Sequence, residues 1–114
     1  MAALVYAYVG PLHTQPYQKE FVAVWRRTNP GGAVVEVDQQ SNPALFAAAR
    51  QLMQQETNVV AVFDFLQAEG NETAPPVRQL IEALLPHKEK IAVKVLGHHG
   101  VLAPMLRFFK QLDA

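Results

Sequence analysis

The chain has 114 residues, half of them apolar and 18% charged, which is the size of one domain with its own core and too apolar for a disordered segment. It has no cysteine, so disulfides, thiolate nucleophiles, iron–sulfur clusters and cysteine-ligated zinc are excluded. Ten basic residues balance ten acidic ones, which leaves no electrostatic footprint for nucleic acid or an anionic membrane.

Met1-Ala2-Ala3 leads into an apolar run without the charge of a signal-peptide n-region, and no run approaches the roughly 20 residues of a membrane span. A cytoplasmic protein is expected. Leu4 to Val9 reads as a buried strand, ended by Gly10-Pro11. Pro16 sits where a helix begins, with Thr14 as a candidate N-cap, and that helix should run from about Tyr17 to Thr28. Phe21, Val24 and Trp25 share a face, Val22 and Ala23 widen the apolar arc, and Asn29-Pro30-Gly31-Gly32 stops the helix. Ala33 to Val37 is the next strand, interrupted by Glu36. Ser41 or Asn42 caps a second helix that Pro43 opens, and Leu45, Ala48, Ala49, Leu52 and Met53 keep helical spacing through to about Gln55.

Asn58 to Asp64 (NVVAVFD) organises the rest. Five apolar residues in a row, three of them valine, are too few for a helix and read as a strand buried on both faces. A long connection follows, and Pro75 or Pro76 starts a third helix with Val77, Leu80, Ile81, Leu84 and Leu85 as its stripe. Ile91 to Leu96 is the last expected strand, carrying Lys94. Gly97-His98-His99-Gly100 is a loop, and Pro104 falls in the first turn of a helix ending near Leu112.

Strand and helix alternate four times, which implies parallel pairing with right-handed crossovers. The strands broken by Glu36 and Lys94 belong outside, the uncharged ones inside. The expected fold is a single α/β domain: a four-stranded parallel sheet of order 2-1-3-4, a (βα)4 flavodoxin-like or STAS-like three-layer sandwich.

In that order the connections leave the first and third strands in opposite directions, and the crevice at the reversal is where open α/β sheets place ligands. Its rim collects His13, Thr14, Asp64, Gly97, His98, His99 and Gly100, the candidate ligand-binding residues; His87 should lie at the opposite end. Imidazole and carboxylate suit zinc or iron, but adjacent histidines rarely face one ion and no i, i+4 pair fixes the geometry. Neither a metal nor a cofactor is expected. A glycine-flanked loop before a helix can cradle an anion, although this one lacks the lysine of a P-loop and the glycines of a dinucleotide fingerprint. Alternatively, Asp64 caps backbone N–H groups of the loop after it. His13 or His98 with Asp64 could supply a general base, but Ser41 is better explained as a cap than as a nucleophile.

A response-regulator receiver would carry its phosphoacceptor at Asp64, but it needs an acidic pair where Gly10-Pro11-Leu12 stands and a lysine where Gly97-His98 stands. The IIB subunits of sugar phosphotransferase systems need a cysteine after the first strand. From about Val34 to Leu112 the chain resembles STAS-like proteins related to anti-sigma-factor antagonists, through Val60-Ala61-Val62-Phe63-Asp64-Phe65 and Lys90-Ile91-Ala92-Val93-Lys94-Val95-Leu96-Gly97 followed by Gly100 and an apolar helix. The resemblance implies a non-enzymatic regulatory or binding module. No secure match to the antagonists' phosphorylated serine is present.

Leu102, Met105, Leu106, Phe108, Phe109 and Leu112 cover more than one face of the last helix. This surplus points to a protein partner or to self-association, a homodimer first, with no nucleic-acid or membrane partner. The competing expectation is a small-molecule or anion-binding protein, or an enzyme, working at the crevice.

Overall fold

The computed structural model describes residues 2–9, 16–38, 42–66, 68 and 75–112. β1 (Ala2–Tyr8), α1 (Pro16–Thr28), β2 (Ala33–Asp38), α2 (Pro43–Gln55), β3 (Asn58–Phe65), α3 (Pro75–Leu84), β4 (Ile91–Gly97), α4 (Leu102–Met105) and β5 (Lys110–Gln111) follow one another, with 3-10 turns at Leu85–Lys90 and Leu106–Phe108. All strand pairs are parallel and the order is β2-β1-β3-β4-β5. β3 is therefore the middle strand of five.

Prolines open α1, α2 and α3, positions where the missing N–H costs nothing. Asn42 caps α2, its Oδ1 accepting from the Ala44 N–H at 2.9 Å. The proposed caps Thr14 and Thr73 lie outside the described residues.

Two expectations are corrected. The sheet has five strands, not four, and the last helix does not reach Leu112. It ends at Phe108, where Phe109 turns to extended backbone (φ −93°, ψ 159°). Gln111 Nε2 donates to the carbonyls of Leu106 (2.8 Å) and Phe109 (3.0 Å), taking up acceptors that a helix end leaves over. The Leu112 N–H bonds the Val93 carbonyl at 2.8 Å, stitching the tail to β4. β5 pairs only with Ala92 and Val93, so Lys94 sits just beyond it.

The two faces of the sheet are covered unequally. Val5, Ala7, Ala61, Phe63, Ile91 and Val93 point to the main core, which α2, α3 and the last helical segment close with Phe46, Met53, Leu80, Leu84, Leu102 and Leu106. On the other face, among the described residues, Leu4, Tyr6 and Val62 cluster with Val22 and Trp25 of α1. This follows from the strand order. Only the β1-to-β2 connection runs toward that edge; the later ones all run the other way, and right-handed crossovers then place their helices together.

Candidate functional site

The reversal of strand order lies between β1 and β3, so the crevice belongs at their carboxyl ends. Strand alternation and register put three residues side by side there on the α1 face: Asp38 on β2, Tyr8 on β1 and Asp64 on β3. One step back along the strands the row reads Glu36, Tyr6, Val62, Lys94.

Asp64 is 2% exposed, and both carboxylate oxygens are engaged. The Tyr6 hydroxyl donates to Oδ2 at 2.7 Å, and the Leu66 N–H donates to Oδ1 at 3.1 Å. The Asp64 carbonyl accepts the Val9 N–H at 3.0 Å. Asp64 therefore ties β1 to β3 and fixes the first turn of the loop after it. A buried carboxylate demands such partners. Burial, followed by the hydrogen bond and charge of Asp64 and then by the charges of Glu36 and Tyr8, pushes the Tyr6 phenol far above the ordinary tyrosine range. The Tyr6 proton thus stays on oxygen, available to donate.

The glycine–histidine loop is built differently. Gly97 has φ +80°, and a Cβ there would come within 2.8 Å of the Phe65 backbone, so only glycine lets β4 leave the sheet against β3. His98 is exposed, as is Gly100. His99 is fully buried, its ring 5.2 Å from that of Phe65. Its Nδ1 accepts from the backbone N–H groups of Val101 (3.2 Å) and Leu102 (3.0 Å). An accepting Nδ1 places the ring proton on Nε2. His99 thus acts as the cap for the last helical segment, a role that serine, threonine, asparagine or aspartate fills more often.

Of the proposed rim, then, Gly97, His98, His99 and Gly100 sit together at the carboxyl end of β4. Asp64 belongs to the α1 face with Tyr6, whereas the His99 ring packs on Phe65 of the main core. His13 and Thr14 lie outside the described residues. Among the described residues no group of three or more His, Asp or Glu side chains could hold a metal ion. On the other face, a hollow of about 180 Å³ lies between the amino-terminal halves of α2 and α3, lined by Pro43, Phe46, Arg50, Pro76 and Gln79.

Sequence reasoning missed Tyr6 as the partner of Asp64. The signal was there: Tyr6 and Tyr8 share one side of β1 by alternation, and the parallel order brings that side beside Asp64. No protein-family model matches the chain, and no curated protein is similar to it in sequence.

Proposed function

We propose that the chain is a non-enzymatic protein-interaction module that self-associates, two copies meeting through the outward side of the last helical segment. One observation carries this. Leu102, Leu106 and Phe109 of that segment are buried, yet its outward side is apolar too: Val101 is 48% and Phe108 68% exposed, with Pro104 exposed and Met105 half-buried between them. Aromatic residues and methionine are enriched in interfaces, and a patch that pairs with itself about a two-fold axis is the commonest route to a homodimer. The engagement of Asp64 and His99 in backbone hydrogen bonds favours this reading over chemistry at the crevice. The resemblance to STAS-like proteins points the same way.

Sedimentation velocity over rising concentration tests it. The wild-type chain should form a dimer, and Phe108→Ser should return it to a folded monomer, because Phe108 is largely outside the core. A wild-type chain that stays monomeric at the highest concentration overturns the proposal.

A further inference from the structure

The α1 face is half open. Beyond the cover of α1, Val60, Ala92, Lys94 and Leu96 are only partly buried. At the amino ends of β3, β4 and β5 a hollow of about 230 Å³ opens, lined among others by Asn58, Val60, Lys90, Ala92 and Lys110. Register sets Val60 and Lys110 on either side of Ala92, and Lys94 follows two residues along the same side of β4. The small Ala92 side chain thus forms an apolar floor with Lys90 and Lys110 in the lining and Lys94 just beyond it. None of the three makes an ion pair or side-chain hydrogen bond with a described residue; Glu89 is the one carboxylate in the lining.

The geometry points to a second docking site, separate from the stripe on the last helix: the hollow takes an extended acidic segment of a partner protein. The volume falls below the roughly 300 Å³ at which small-molecule sites begin, so a few peptide side chains fit it better than a compact ligand. Lys90 closes the 3-10 turn just before β4, and Lys110 opens β5 beside Ala92. An extended peptide with acidic residues on either side of one apolar residue would set carboxylates on Lys90 and Lys110 and its apolar side chain on Ala92 and Val60. Lys94, two residues beyond Ala92 on β4, neutralises a further carboxylate.

Fluorescence anisotropy with a labelled peptide alternating glutamate and leucine at every second position tests this, with the same peptide carrying glutamine for glutamate as the neutral probe. The acidic peptide should bind, and its affinity should fall as salt is raised. The double variant Lys90→Glu/Lys110→Glu should weaken it by roughly tenfold or more. Lys110 is exposed, so Lys110→Gln keeps the fold and should weaken binding through charge alone, while Arg50→Glu, on α2 at the other face, should leave it unchanged. The proposal is overturned by equal binding of the glutamine peptide, by indifference to the lysine variants, by no binding at all, or by tighter binding of a single-stranded oligonucleotide of the same charge.

Discussion

The Tyr6 hydroxyl and the Asp64 carboxylate meet at 2.7 Å in the interior, joining two neighbouring strands 58 residues apart in sequence. Removing the donor with Tyr6→Phe leaves a buried carboxylate oxygen short of a partner and should cost about 1–3 kcal/mol. A double-mutant cycle with Asp64→Asn, read by urea denaturation, should return a coupling of about 0.5–3 kcal/mol. Additive effects of the two changes would mean that the bond contributes nothing of its own.

The same contact sets an alkaline limit. The folded protein holds the Tyr6 proton more tightly than the unfolded chain does, for burial and Asp64 raise that phenol. Above about pH 10, where an exposed tyrosine ionises, the unfolded chain sheds this proton and the folded one keeps it, so stability falls as pH rises. Below that pH the contribution is complete. Stability measured across this range should decline more steeply for the wild type than for Tyr6→Phe; parallel curves would contradict it.

Gly31 and Gly97 separate backbone strain from collision. Both have positive φ, +84° and +80°, but nothing lies within 4 Å of a Cβ added at Gly31, whereas at Gly97 the Phe65 backbone lies 2.8 Å away. Gly31→Ala should cost only the left-handed penalty of about 1–2 kcal/mol. Gly97→Ala should add an overpacking cost of about 1–3 kcal/mol. At roughly 3–6 °C per kcal/mol for a domain of this size, the difference is readable as melting temperature. Equal losses would show that β3 yields at Phe65.

The adjacent histidines should behave oppositely. His99→Ala strips the acceptor from two N–H groups and empties the space against Phe65, for about 2–4 kcal/mol. His98→Ala, at an exposed position, should stay within about 0.5 kcal/mol. Denaturant midpoints of the two variants decide the matter.

The order of the first four strands was legible because charge marks exposure: Glu36 and Lys94 interrupt otherwise apolar strands, and β3, with no charge before Asp64, occupies the centre; β4 is nonetheless not the edge, since β5 pairs outside it. Helix starts were legible from Pro16, Pro43 and the Pro75-Pro76 pair, of which Pro75 opens α3. β5 was not, because a two-residue strand has no period, and Phe109 continues the helical spacing of Leu102 and Leu106 after the backbone has become extended. Nor does Gly97-His98-His99-Gly100 say which imidazole turns inward; that depends on Phe65, more than thirty residues earlier. The polar groups near the crevice were visible as a set, but their partners were not, since hydrogen bonds between strands require the register.

Parallel pairing throughout imposes an order on synthesis. β1 precedes the other strands of this sheet in synthesis and, once folded, is one of the most deeply enclosed segments, with Ala3 to Val9 at no more than 1% exposure. Its first neighbour begins at Ala33 and its second at Asn58. No local hairpin can shelter it meanwhile, so until Asn58 and the residues after it are made, β1 has at most one of its two neighbours to pair with. The exposure ends only when β3 docks.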